Sequence, residues 1–186
     1  MRVVVLVGAL AVVLSGCGGE EAPRASGPPS MPPPSTQRPV GELDRLPNLA
    51  SVLTADRVTE LLGGPARPLS SPRSTPHSLR LAVCNPDFTA TLTLSADAVR
   101  SAGGSSVDLA GRMFRDGLIP PERFRAVSVR GADEAALKLE EGAVRVTTRT
   151  GNVLIDLRHV GDAPAEALRD RVVRLATDLV ALLPRS

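Results

Sequence analysis

Aromatic side chains are nearly missing: among 186 residues there is no Trp and no Tyr, and Phe88, Phe114 and Phe124 are the only phenylalanines. Stacking platforms for sugars or for single-stranded nucleic acid are therefore scarce. Histidine is limited to His77 and His159, which stand apart among non-ligand residues. With no His-x-x-x-His, no Cys pair and no acidic calcium-type loop, no metal site is predicted, and no cofactor. There is no Gly-x-Ser-x-Gly elbow and no Ser-x-x-Lys, so the usual signatures of an acyl-transfer serine are lacking. Nor is there an excess of one charge, with 22 basic and 20 acidic side chains. That balance argues against a nucleic-acid partner, whose binding needs a basic face. Lys138 is the only lysine.

What is present starts with an export signal. Arg2 supplies a positive n-region, and Val3 to Leu14 is apolar apart from Gly8. The stretch falls short of the roughly 20 apolar residues that span a bilayer, so cleavage is expected rather than a permanent anchor. Leu14-Ser15-Gly16-Cys17 resembles the lipobox of bacterial lipoprotein signals. The resemblance implies removal of residues 1–16 and a diacylglyceryl-modified Cys17 at the mature N-terminus. Two or more acyl chains, at about 0.8 kcal/mol per buried CH₂, hold a protein stably on a membrane where one is marginal. The expected location is the cell membrane, lipid-anchored and facing the extracytoplasmic side.

Residues 17–47 form the expected tether. Pro28-Pro29, Pro32-Pro33-Pro34, Pro39 and Pro47 lie among Gly, Ser, Thr and Glu without apolar periodicity. Such a segment is disordered and partly extended, spanning roughly 30 Å as a coil and up to about 90 Å as polyproline II. It also has the composition of a ligand for an aromatic groove, although its prolines show no repeated spacing.

Residues 48–186 are predicted to form one α+β domain, enough chain to bury about two-thirds of its unfolded surface. Thr54 caps a helix over 55–62 that Gly63 stops, with Val58, Leu61 and Leu62 on its inner face. After a turn-rich stretch, 64–76, Leu79, Leu81 and Val83 alternate with polar or small residues, as do Leu92 and Leu94. Asn85-Pro86-Asp87 joins the two strands as a hairpin. Ser106 opens a middle helix to Arg115, with Val107, Ala110, Met113 and Phe114 at helical spacing and Gly117 as its end. Strands follow at 126–129, 135–139, 143–149 and 153–159, with Gly142 and Gly151-Asn152 at tight turns. Leu168, Val172, Leu175, Ala176, Leu179 and Leu183 then mark one face of a long C-terminal helix. Asp162 is its expected cap, and Asp170 with Arg174 an i,i+4 pair. Strands grouped between helices predict an antiparallel sheet of about five to seven strands with helices packed on it.

Ala50-Ser51-Val52-Leu53-Thr54, Leu62-Gly63, Cys84, Gly131-Ala132-Asp133-Glu134-Ala135 and Arg149-Thr150-Gly151-Asn152 occur in that order. They resemble a class of actinobacterial cell-envelope lipoproteins defined by a domain of unknown function. That class opens with Cys-x-Leu-Leu-Thr, carries a second cysteine in the next strand, and continues with Gly-x-Gly-Asp-Glu-Ala and Arg-x-Gly-Asn. The resemblance implies a disulfide clipping the first helix to the sheet. Here Ala50 stands in the first cysteine's place, which leaves Cys84 without that partner. A buried free thiol is expected, a reactive or intermolecularly paired one being the alternative.

Three other motifs have plain readings. Gly103-Gly104-Ser105-Ser106 precedes a helix as a phosphate loop does, but lacks the lysine and spacing of a P-loop, so a connection capped by Ser106 is expected. Asp133-Glu134 and Glu140-Glu141 are adjacent carboxylates, and neighbours in a strand point to opposite faces, so solvated turn ends are expected. The sequence thus points to a non-enzymatic binding or sensor domain for an envelope protein partner or a small apolar ligand. An accessory hydrolase of cell wall or lipid, built on His159 meeting a serine and a carboxylate, and a purely structural envelope role are the alternatives.

Overall fold

Residues 41–184 are described by a computed structural model. Leu14, Ser15, Gly16 and Cys17, with the tether up to residue 40, lie outside the described residues. The capping signals of the first helix work as their chemistry predicts. Helix α1 (Ala55–Leu62) starts where Thr54 Oγ1 accepts the Arg57 amide at 3.5 Å and ends at Gly63, which adopts φ +68°. Its inner face, Val58, Leu61 and Leu62, is buried.

An eight-stranded antiparallel sheet, more than the five to seven strands expected, carries the rest. Strands β3 (Ser78–Cys84) and β4 (Thr91–Ala98) form the expected hairpin. Strands β6 (Glu134–Glu140), β7 (Ala143–Thr150) and β8 (Val153–Val160) form the expected meander, and β8 lies between β7 and β4. The additional strands are two-residue segments. The stretch 64–76, expected as turns, contributes β1 (Arg67–Pro68) and β2 (Arg73–Ser74) along the outer edge of β3. Proline is tolerated there because an edge strand can spare an outward amide. The strand expected at 126–129 shrinks to β5 (Arg125–Ala126), because Val129 already accepts the Ala132 amide in a turn and Gly131 takes φ +89°.

The registers sort side chains onto two faces. Leu92, Leu94 and Ala96 of β4 stand opposite His159, Leu157 and Ile155 of β8, and His159 and Leu157 stand opposite Val144 and Val146 of β7. Helix α3 (Ala165–Ala181) covers this face with α1, burying Leu168, Val172, Leu175, Ala176 and Leu179 in one core, with Leu183 just beyond its end. Each such leucine contributes about 2–5 kcal/mol by the cost of its truncation to alanine. Helix α2 (Ser106–Asp116) packs on the other face, against β7 and β8, through Ala110, Gly111 and Phe114. Met113, expected inside, is exposed because α2 buries only a narrow stripe.

Three expected helix contacts differ. Ser105, not Ser106, caps α2, its Oγ accepting the Asp108 amide at 3.1 Å. Asp162 does not cap α3, whose N-cap position is Pro164, a residue with no side-chain oxygen. Asp170 and Arg174 form no ion pair; Arg57–Asp178 at 2.7 Å and Arg171–Glu60 at 3.6 Å instead tie α3 to α1. Among the described residues no helix is long and apolar enough to cross a membrane.

Candidate functional site

The two loose motifs, 131–135 and 149–152, meet at one end of the sheet. Arg149 reaches across from β7, its Nε donating to Glu134 and its Nη1 to Asp133 Oδ2 at 3.1 Å. The same Asp133 oxygen accepts the Gly151 amide at 2.8 Å, and the Asp133 amide donates to the Arg149 carbonyl at 2.8 Å. Asp133 and Glu134 were expected to diverge into solvent, yet both converge on one guanidinium. Asp133 precedes the strand, so the pleat's alternation does not govern its side chain. Glu140 forms an ion pair with Lys138 at 2.8 Å, and that hydrogen bond holds its carboxyl below the ordinary carboxylate range.

Asn152, 1 % exposed, ties in the incoming chain. Its Oδ1 accepts the Leu43 amide at 2.7 Å, and its Nδ2 donates to the carbonyls of Leu43 at 2.9 Å and Val99 at 2.8 Å. One residue earlier, a Cβ on Gly151 would overlap the Gly41 carbonyl, so the close approach requires glycine. Glu42 completes the attachment, its Oε1 accepting the Ser106 amide at 2.6 Å. A carboxylate thereby occupies the positive N-terminal end of α2, where the 103–106 segment had the outline of a phosphate loop. Residues 41–47, placed in the tether by composition, thus belong to the domain; Leu46 also donates its amide to Pro76 at 2.8 Å.

These elements wall a cleft of about 720 Å³ between the end of α3, the start of α2 and the turns at 130–133 and 150–151. Leu43, Val107, Val180 and Leu183 give it apolar walls, and Glu42, Arg130 and Asp133 are its charged residues. Glu42, Arg130 and the cleft itself are illegible in the sequence, because Glu42 sits in a proline-rich stretch and touches α2 only across 64 residues.

The other singled-out residues lie elsewhere. His159 is 1 % exposed under α1, where its Nε2 donates to the Leu61 carbonyl at 2.9 Å and Nδ1 has no partner. Burial pushes this imidazole below its ordinary value, against the opposing pull of the Leu61 hydrogen bond. Among the described residues no serine or carboxylate hydrogen-bonds to it. His77 lies in the loop before β3, accepting at Nε2 from Arg100 at 3.1 Å. Cys84 is a free thiol with no exposed surface. Among the described residues no group of three or more His, Cys, Asp and Glu is placed to hold a metal ion.

No family model matches the chain, and no curated protein does. The structure gives the 131–135 and 149–152 segments a common job. Arg149 and Asn152 lock two turns and the arriving N-terminal segment into one end of the sheet.

Proposed function

We propose that this chain is a lipid-anchored cell-envelope protein of the actinobacterial kind, held on the extracytoplasmic side of the membrane by Cys17, whose domain binds a small ligand without transforming it. The cleft at the end of the sheet carries this reading: its volume of about 720 Å³ lies within the roughly 300–1,000 Å³ of small-molecule sites. Its mixed lining suits binding, and its wall includes Gly41 to Leu43, the residues that immediately follow the tether. The hydrolase reading has less support, since His159 is packed beneath α1 with its Nε2 held on the Leu61 carbonyl.

The test uses the full chain expressed in an actinobacterial host fed an alkyne-bearing palmitate. Label on the native chain and none on Cys17→Ser is expected, with an organic molecule recovered by mass spectrometry from the envelope-purified protein. Label that ignores Cys17 overturns the anchor, and a protein that yields no bound molecule overturns the binding function.

A further inference from the structure

We propose that the cleft takes an amphiphile with one anionic head and one apolar chain, the head at Arg130 and the chain against Leu43, Val107, Val180 and Leu183. This rests on the reading of the cleft as a binding site and adds the ligand's chemistry. Three charged side chains line the cleft, two of them acidic. Both carboxylates are already engaged within the protein: Glu42 by the Ser106 amide at 2.6 Å, Asp133 by the Gly151 amide at 2.8 Å and by Arg149. Arg130 has no hydrogen-bond or ion-pair partner among the described residues, so all of its N–H donors are left to meet a ligand. A guanidinium recognises carboxylate and phosphate through paired N–H donors. A fully neutral ligand would leave Arg130 unused.

The shape agrees with this assignment. Arg130 lies beside Gly131, where the chain turns at φ +89° next to Val180, so the charge borders the apolar wall formed by the end of α3. A single acyl chain fits a space of about 720 Å³. The head is either a carboxylate or a phosphate monoester, which present the same acceptor chemistry to an arginine.

The test titrates the chain from residue 17 onward, with Cys17→Ser, using cis-parinaric acid below its micelle concentration and reading fluorescence enhancement. Every described residue is kept, and all core residues lie between 49 and 183. Saturable binding is expected, displaced by palmitate or by palmitoyl-lysophosphatidate but at least about tenfold less well by hexadecanol, in line with loss of one charge-assisted hydrogen bond. Whichever acid displaces better identifies the head group. Arg130→Gln should erase the preference for acid over alcohol and Arg130→Lys retain most of it. Ala181→Trp should block every probe by filling the cleft, with the far-UV spectrum unchanged in each variant. Equal displacement by acid and alcohol, indifferent to Arg130, overturns the head-group assignment and leaves the cleft a binding site. No binding of parinaric acid overturns the amphiphile proposal, and the molecule recovered from the envelope, or its absence, decides separately on the cleft.

Discussion

Replacing Asn152 by alanine removes three hydrogen bonds at once and leaves their backbone partners behind. The Val99 carbonyl is in a buried bond, and the Leu43 amide and carbonyl in half-buried ones. A hydrogen bond contributes about 0.5–1.5 kcal/mol net, and a buried group left unpaired costs about 1–3 kcal/mol. Taking the buried bond near 1.5 and the two others, whose groups can partly rehydrate, near 0.7 each gives about 3 kcal/mol. At roughly 3 °C per kcal/mol for a domain of this size, the melting temperature should fall by about 9 °C. The assay is urea and thermal unfolding followed by far-UV circular dichroism, because a chain without Trp or Tyr offers little fluorescence. If the loss arises from the Leu43 attachment, deleting residues 1–43 and substituting Asn152 should be sub-additive by about 1 kcal/mol or more, as expected for contacting groups. A loss under about 0.5 kcal/mol with an unchanged urea slope, or strict additivity with the deletion, would refute the role given to Asn152.

Two further outcomes follow from buried groups. His159 has a folded-state value below its unfolded value of about 6.5, so the unfolded chain binds the proton more readily. The stability of the native protein should therefore be fully present above about pH 6.5 and fall as the pH drops from there toward the folded value. His159→Gln, which can still donate to the Leu61 carbonyl, should flatten thermal melts between about pH 7.5 and 5.5; an unchanged slope would assign the effect elsewhere. Cys84, with no exposed surface, should resist a membrane-impermeant disulfide reagent in the Cys17→Ser chain and react at once in urea. Rapid labelling of the folded protein would count against its burial.

The elements were legible where one local signal governed them. Thr54 and Gly63 bracket α1, and the six apolar positions of the last helix all reach the core, because periodicity and capping depend on residues a few positions apart. Other features turn on a distant partner. Asp133 and Glu134 converge because Arg149, on another strand, lies between them. Arg67–Pro68 and Arg73–Ser74 pair because β3 presents an edge to them. Met113 is exposed because α2 rests on the sheet by a narrow stripe.

From the sequence alone came the antiparallel α+β class, the helix faces and the expectation of an exported, lipidated chain, all written in contiguous residues. Only the tertiary structure drew Glu42, Arg130 and Asp133 to one end of the sheet and opened a cleft among them. A cleft is space left between surfaces that are remote in sequence, and which groups within it stay unpartnered depends on bonds such as Glu42 to Ser106, formed across 64 residues.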